Sequence, residues 1–256
     1  MVARAAMYGL ARILSKRGLC SRSQAERLIR AGRVKVGGRV CLDPERPTAL
    51  DAGDIVVDAQ AVGAAPPLYV MLNKPRGLVT TRHDERGRGT VYDCLADAGL
   101  PWLAPVGRLD QASEGLLLLS NDSAWAAGSS TPGGGLRKRY HVHIDRVFDD
   151  LLLQRLRAGI DDQGEHLRAL GIEPLRHGSR SSWLEFVLDE GRNRQIRRML
   201  AACDTGVQRL VRVAIGPLSL GDLGKGAWRH LDAAEVQSLR IRNAARGAGP
   251  AGDAAA

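Results

Sequence analysis

The chain has 256 residues, of which 44% are hydrophobic and 25% are charged. This composition is typical of a globular protein and excludes a fibrous or wholly disordered chain, and the length suits one large domain or two unequal ones. The uncharged apolar runs are shorter than the ~18–20 residues that span a bilayer, and the first residues lack the pattern of a signal peptide. We therefore expect a cytoplasmic protein with no membrane partner.

The four cysteines lie far apart and form no CxxC pair, which argues against a disulfide framework or a zinc site. His141 and His143 fall on one face of a predicted strand, but no third ligand stands at suitable spacing. We expect no metal.

The positive charge is concentrated at the N-terminal end. Residues 1–40 hold ten Lys or Arg and one acid, a net charge of +9, whereas residues 41–256 hold 27 charges of each sign. Such an asymmetry indicates a polyanionic partner, most simply a nucleic acid. An arginine-rich genome would explain why arginines outnumber lysines 32 to 5, but not why the surplus is concentrated in one segment.

Residues 8–60 are predicted to form a small domain. Ser23-x-x-Glu26 is a capping-box pattern that predicts a helix over about 24–31, ended by Gly32. The sequence RVKVGGRVCL then predicts a hairpin around Gly37 and Gly38. The segment offers few acids to its basic side chains, which favours a phosphate-binding face over a merely solvated one. These residues include Arg12, Lys16, Arg17, Arg22, Arg27, Arg30, Arg33, Lys35 and Arg39.

A larger domain is predicted over residues 68–240, after a linker of small residues and prolines at 61–67. Residues 241–256 form a low-complexity tail that we expect to be disordered. Helical patterns cover 149–158 and 193–203, and strand-like runs cover 68–72, 116–119, 140–144, 183–188 and 210–215. Many strands with few helices predict an α+β fold on a mixed or antiparallel sheet.

Asp110 is the first candidate for chemistry. It follows Gly107-Arg108-Leu109 and precedes a predicted turn at 113–115 that leads into a buried strand. A carboxylate in a loop at the edge of a core sheet is suited to act as an acid, a base or a nucleophile. A single loop aspartate is, however, more often a turn or cap residue.

Three arginines and one tyrosine are further candidates for the site. Arg194, Arg197 and Arg198 stand at i, i+3 and i+4 on a predicted helix, so they face either an anion or solvent. Tyr140 shares a strand face with Val142 and is either a core residue or a platform on which a base stacks.

These motifs together resemble one family. MLNKPRG, GRLDQASEGLLLLSND, KRY and GRNRQIRRML, in this order, are similar to the catalytic motifs of the RNA pseudouridine synthases of the RsuA/RluB/RluF group. LSKRGLCSRSQAERLIRAGRVKVGGRV resembles the S-four-like (alpha-L) RNA-binding domain of the same group. The resemblance covers roughly residues 10–232, and it departs from the family at Ser120 and in the glycine-rich segment 128–135.

The resemblance implies an α+β protein in which a small alpha-L RNA-binding domain precedes a pseudouridine synthase domain. It further implies the isomerisation of a uridine in ribosomal RNA without a cofactor, with ribosomal RNA or a ribosomal subunit or assembly intermediate as the partner. We expect a monomer, because the sequence shows no exposed apolar helix stripe. Asp110 would be the catalytic aspartate, Tyr140 would pack against the target base, and Arg197 would be the basic partner of the aspartate. The residues expected to contact RNA are Arg12, Lys16, Arg17, Ser21, Arg22, Arg30, Arg33, Lys74, Arg108, Lys138, Arg192 and Arg194.

Two other functions compete with this interpretation. A non-catalytic RNA-binding or ribosome-assembly factor would use the basic segment equally well, but a carboxylate in its RNA-binding cleft would repel phosphate. A glycoside hydrolase would need a second carboxylate opposite Asp110. Glu114 is the nearest in sequence, and we expect it to lie in a turn.

Overall fold

The computed structural model describes residues 7–63, 65–82, 84–130 and 136–240. The predicted disordered tail at 241–256 and most of the glycine-rich segment 128–135 lie outside these ranges.

The N-terminal part is a small α+β unit. A four-stranded sheet in the order β3-β2-β5-β6 and a separate β1-β4 pair enclose two helices. The core is formed by apolar residues of both helices and of the sheet, including Leu10, Ile13, Ile29, Val34 and Ile55. Its elements are β1 Met7–Gly9, α1 Leu10–Lys16, α2 Arg22–Arg30, β2 Val34–Val36, β3 Arg39–Val40, β4 Pro47–Ala49, β5 Ile55–Val57 and β6 Gln60–Ala61.

Helix α2 begins two residues earlier than the sequence pattern predicts. Ser21, not Ser23, is the N-cap, and its hydroxyl accepts a hydrogen bond from the backbone N–H of Gln24. The Gln24 side chain accepts in return from the Ser21 N–H, which completes the capping box. The prediction that used Ser23 and Glu26 is therefore wrong, since an overlapping Ser-x-x-Gln pattern supplies the cap. Gly32, with φ +71°, ends the helix as predicted.

The predicted hairpin is confirmed. Strands β2 and β3 pair antiparallel, with Val36 opposite Arg39. Gly37 and Gly38 between them have φ angles of +62° and +75°. Positive φ at both central residues is the requirement of a type I′ turn, which explains the two glycines.

The larger part is built on a sheet in the order β13-β14-β10-β15-β9-β7-β17, with β8 beside β9 and β16 beside β15. The β9-β15 pair is parallel and the other pairs are antiparallel, so the predicted mixed sheet is confirmed. A 3-10 helix covers Val91–Leu95. The other elements are β7 Tyr69–Lys74, β8 Ala104–Val106, β9 Glu114–Ser120, α3 Ser123–Ser130, β10 Lys138–Ile144, α4 Asp150–Ala158, β11 Ile160–Asp162, β12 Glu165–Leu167, β13 Gly171–His177, β14 Ser182–Leu188, α5 Gln195–Ala201, β15 Val207–Ile215, β16 Leu218–Ser219, β17 Trp228–His230 and α6 Ala233–Ser238.

Helices cover the sheet on both faces. Helices α4 and α5 pack with one face of the sheet in the main core, which includes Tyr140 and Val142 of β10. Helix α6 packs on the other face against residues of β7 and β9, and Trp125 of α3 joins this second core. All five predicted strands and both predicted helices of this part are present.

The parallel contact between β9 and β15 depends on Gly115. Gly115 lies opposite Arg212 and has φ +100°. A Cβ atom at this position would stand 2.3 Å from the Arg212 carbonyl oxygen. The glycine thus allows the strand that follows Asp110 to enter the middle of the sheet.

Candidate active site

A cavity of about 320 Å³ opens beside strands β10, β14 and β15. One wall is the loop before β9, which carries Asp110. The opposite wall is the segment that leads from β14 into α5 and carries Arg194 and Arg197. Tyr140 of β10 is buried and lines the same cavity. The structure therefore brings together the three residues expected to be catalytic.

Asp110 begins a tight turn at the edge of this cavity. The Ser113 N–H donates to the Asp110 carbonyl over 3.0 Å, and β9 starts at the next residue. The turn therefore occupies 110–113 rather than the predicted 113–115. The Asp110 side chain is 43% exposed, so water and a ligand both have access to the carboxylate.

The backbone on both sides of Asp110 is held by the loop that follows β7. The Thr80 hydroxyl donates to the Leu109 carbonyl over 2.7 Å and accepts from the Leu109 N–H over 3.3 Å. The Gly77 N–H donates to the Gln111 carbonyl over 2.8 Å, and the Gln111 amide donates to the Gly77 carbonyl over 3.0 Å. A catalytic group needs support of this kind, because small displacements are costly.

Arg194 makes the ion pair with Asp110. Its Nη1 lies 3.9 Å from Asp110 Oδ2, and both side chains are about half exposed. Arg194 is the N-cap of α5 and adopts a left-handed backbone with φ 49°, which is uncommon for a residue other than glycine. Solvent weakens such a pair, so it places a positive charge at the carboxylate without adding much stability.

Arg197 acts on the Asp110 loop through the backbone. Its guanidinium donates to the Ala112 carbonyl over 3.0 Å and to the Val207 carbonyl over 3.3 Å. Burial lowers the pKa of Arg197, and nearby Arg194 lowers it further, whereas Asp110 raises it. The expected direct partner of the aspartate thus interacts with it at longer range, while Arg194 makes the ion pair.

Arg198 faces away from the cavity, contrary to the expectation that it shares a face with Arg194 and Arg197. It forms an ion pair with Asp162 and another, at 2.6 Å, with Glu165 of β12. The helix begins only at Gln195, so Arg194 does not follow the i, i+3, i+4 pattern that we assumed.

Lys74 is fully buried, and the expectation that it contacts RNA is wrong. Its ammonium donates to the Ser113 carbonyl over 2.7 Å and to the Pro75 carbonyl over 3.0 Å. Burial lowers the pKa of Lys74 to about 8, although the carboxylates of Asp110 and Glu114 raise it. Lys74 therefore supports the turn that follows Asp110, through the Ser113 carbonyl.

Three other predicted contacts of the larger part are accessible. Arg108 and Arg192 line the cavity, and Arg192 pairs with Glu190 at 3.1 Å. Lys138 stands half-buried at the start of β10, where burial and the charge of Arg212 lower its pKa.

This arrangement of motifs matches known proteins. Residues 68–202 match the sequence family described as RNA pseudouridylate synthase, and residues 9–56 match the S4 domain family. The chain belongs to the RNA pseudouridine synthase family. A Rickettsia conorii protein named as an RNA pseudouridine synthase is 36% identical over 88% of this synthase and 97% of its own length.

Two further comparisons agree. The ribosomal large subunit pseudouridine synthase B of Haemophilus influenzae is 32% identical, over 90% of this chain and 66% of its own length. A crystal structure of a pseudouridylate synthase superposes with a TM-score of 0.63 and 27% identity, over 91% of this chain and 99% of that one. The predicted family, with an S4 domain before the catalytic domain, is thus confirmed.

The basic residues of the S4 domain of this synthase have different roles in the structure. Arg17 is buried and donates to the carbonyls of Val62 and Leu50 over 2.6 and 2.9 Å, so its assignment to RNA is wrong. Ser21 serves as the helix cap. The expectation that these cations have few partners fails for Arg30 and Arg33, which pair with Glu26 and Asp58.

The other basic side chains of the S4 domain remain available. Arg12 and Lys16 lie over the ring of Tyr8, at 4.9 and 4.7 Å from its centre. Six exposed cations of the S4 domain make no ion pair with a carboxylate of the described residues; they are Arg12, Arg22, Arg27, Lys35, Arg39 and Arg46. These are the side chains best placed to bind phosphate.

Glu114 does not lie in a turn, contrary to our expectation. It is a buried residue of β9 that pairs with Arg209 over 3.0 Å and with Lys225 over 3.1 Å. The hydrogen bond from Arg209 keeps the pKa of Glu114 low. Glu114 is bound to two cations and does not line the cavity that Asp110 lines, so it does not fit the second carboxylate of a hydrolase.

Three residues that support the site were not predicted from the sequence. Gln111 lies within the quoted motif that carries Asp110, and this position was the available signal; Thr80 lies three residues after MLNKPRG. Arg212, which is buried in β15, donates to the Leu116 carbonyl of β9 over 2.7 Å. Nothing in its alternating strand sequence distinguishes it from a solvent-facing arginine.

In the part of the chain that the structure describes, no three His, Cys, Asp or Glu side chains cluster closely enough to hold a metal ion. The described helices also include none with the length and apolar character needed to cross a membrane.

Proposed function

We propose that this synthase converts a uridine of ribosomal RNA to pseudouridine, with Asp110 as its catalytic residue. The observation that carries the proposal is the position of Asp110, which shares one cavity with Tyr140 and with the arginines at 194 and 197. The ribosomal target is supported by the S4 domain and by the relative named a ribosomal large subunit pseudouridine synthase. Such a substrate implies action in the cytoplasm.

The target uridine must leave its stack before Asp110 reaches it. Extrusion of a base costs a few kcal/mol, which phosphate contacts with arginines offset. The ring of Tyr140 lines the cavity and offers an apolar surface for the uracil. Stacking of this kind contributes ~1–3 kcal/mol per base.

The reaction is an isomerisation. The bond between N1 of uracil and C1′ of ribose breaks, the base rotates, and C5 bonds to C1′. The hydrogen on C5 leaves as a proton and N1 gains a proton, so no oxidant or second substrate is required. The cavity must retain the detached uracil until it has turned.

An ionised Asp110 serves this reaction in one of two ways. It attacks C1′ as a nucleophile, or it removes the proton on C2′ to give a glycal. Deuterium at C2′ distinguishes the two, since only the glycal route breaks that bond. In both routes Arg194 stabilises the carboxylate, and Arg197 positions the loop that carries it.

The test uses rRNA transcripts with tritium at C5 of uracil, because formation of the new bond releases that tritium. Wild-type protein should release it from rRNA, and Asp110→Asn should lower the rate at least ~100-fold, the scale of general acid–base catalysis. RNA affinity should change less than about twofold, since the carboxylate makes no attractive contact with phosphate.

Asp222→Asn is the matched control, because Asp222 is exposed and makes no ion pair with the described residues. Full activity of Asp110→Asn would refute the catalytic assignment. Tritium release from tRNA but not from rRNA would refute the ribosomal target. RNA binding without any tritium release by the wild type would instead support the non-catalytic RNA-binding factor.

A further inference from the structure

A second cavity, of about 410 Å³, lies at the junction of the two domains. Gly18 and Leu19, from the loop between α1 and α2, form one side of it. The other side belongs to the catalytic domain and includes Arg82, Tyr92 and Trp102. Its volume is within the ~300–1,000 Å³ typical of ligand sites. The mechanism proposed above does not use this cavity.

On the side that belongs to the catalytic domain, the cavity is lined by a pair of aromatic rings with a cation beside them. The rings of Tyr92 and Trp102 are stacked, with centroids 5.0 Å apart and planes 19° apart. The Arg82 guanidinium lies 5.3 Å from the Tyr92 centroid and 5.0 Å from the Trp102 centroid. Trp102 is only partly buried, so part of its ring surface faces the cavity.

Arg82 is exposed and has no carboxylate partner among the described residues. Burial raises the pKa of the Cys20 thiol, while Arg82 and Arg27 both lower it, which places both cations near this residue. The exposed basic surface of α2 and the cavity are therefore adjacent. The positive charges of Arg82 and Arg27 would attract a phosphate, and the rings of Tyr92 and Trp102 would stack with a base.

The backbone holds the two sides of the cavity together. The Trp102 N–H donates to the Gly18 carbonyl over 2.8 Å, across the two domains. Gly18 has φ +73°, and a Cβ atom there would stand 3.0 Å from the Cβ of Pro101. Arg82 lies two residues after Thr80, whose hydroxyl donates a hydrogen bond to the carbonyl of Leu109, the residue before Asp110. The cavity thus lies between the RNA-binding domain and the catalytic loop.

We propose that this junction cavity binds an unpaired nucleotide of the substrate RNA, other than the target uridine. The base would stack on the exposed part of Trp102, beside Leu19, and Arg82 would bind the adjoining phosphate. This inference rests on the proposed function for the identity of the RNA. It adds a second base-binding site that fixes the RNA between the S4 domain and Asp110.

The test compares two pairs of variants in the full chain, with Kd for a 23S rRNA transcript as the readout. Arg82→Gln and Trp102→Leu should each weaken binding about tenfold, and the double variant should lose no more than about twofold further, since both side chains serve one nucleotide. Arg176→Gln and Trp183→Leu are matched controls, because Arg176 likewise lies over an indole, at 5.3 Å from the Trp183 centroid. The controls should change Kd less than twofold.

A second measurement locates the contact. A transcript that carries 5-iodouridine and 5-iodocytidine, irradiated with Asp110→Asn protein, should cross-link to Trp102 or Tyr92, as mapped by mass spectrometry. The proposal requires both results. Equal losses in the two pairs, additive losses in the double variant, or cross-links that avoid both rings would overturn it. Failure of the proposed function is a separate outcome, since it would appear as absent tritium release from the wild type.

Discussion

The buried ammonium of Lys74 should make the stability of the protein depend on pH. Burial lowers the pKa of Lys74 from 10.5 to about 8, despite the opposing effect of Asp110 and Glu114. The difference of about 2.5 between these values corresponds to about 3 kcal/mol, at ~1.36 kcal/mol per pKa unit. This is the cost of keeping the cation in the folded state below pH 8.

The direction follows from proton binding. Below pH 8 both the folded and the unfolded chain carry the proton on Lys74, so the cost is constant. Between pH 8 and 10.5 the folded protein releases it while the unfolded chain retains it. The unfolded state then binds more protons, and the contribution of Lys74 to the free energy of unfolding rises with pH.

Urea unfolding at pH 7 and pH 10 measures this rise, with Lys74→Met as the reference variant. The wild-type free energy of unfolding minus that of the variant should increase by about 2.5 kcal/mol between the two pH values. The subtraction removes the contributions of other groups that titrate in this range. A difference that does not change with pH would show that Lys74 is not desolvated, and would refute its role beneath the catalytic loop.

Three other variants test separate parts of the structure. Arg197→Met should lower single-turnover rates about 100-fold with little loss of RNA affinity, because it releases the loop that carries Asp110; equal losses would identify Arg197 as an RNA contact. Gly115→Ala places a Cβ against the Arg212 carbonyl at positive φ, and we expect the melting temperature to fall by about 10 °C; an unchanged value would contradict the strand geometry. Combined Arg22→Gln and Arg27→Gln should reduce the slope of log K against log salt by about 2, whereas an unchanged slope would exclude phosphate contacts there.

The catalytic domain was largely predictable because its strands carry strong patterns. Strand β9 is a continuous buried run, and β10 alternates buried and half-exposed residues, as a strand with one covered face should. Strand β13 was missed for the opposite reason. Its last five residues are exposed and include Pro174, so it shows neither a hydrophobic run nor alternation. An edge strand of this kind is defined by its pairing with β14 alone.

The buried cations were beyond sequence reasoning. The sequence predicts Arg17 and Lys74 to be surface charges, because each binds a carbonyl oxygen that lies far away in the sequence. The partner of Arg33 is Asp58, 25 residues away, which only folding brings near. The partner of Arg30 is Glu26, four residues earlier in the same helix, and this pair was available from spacing alone.

Part of the positive charge of the N-terminal segment is not available to bind RNA. Arg17 is internal and Arg30 and Arg33 are neutralised, so the S4 domain offers fewer cations to RNA than the net charge of +9 on residues 1–40 suggests. The cavity beside Asp110 supplies further positive charge. Four arginines and one aspartate line this cavity, and Glu190 neutralises one of the arginines, Arg192, so the net charge is about +2. A carboxylate alone in such a cleft would repel the RNA backbone. The guanidinium groups around Asp110 create a positive field that attracts phosphate. In the proposed reaction the uracil is neutral, so the carboxylate does not repel it.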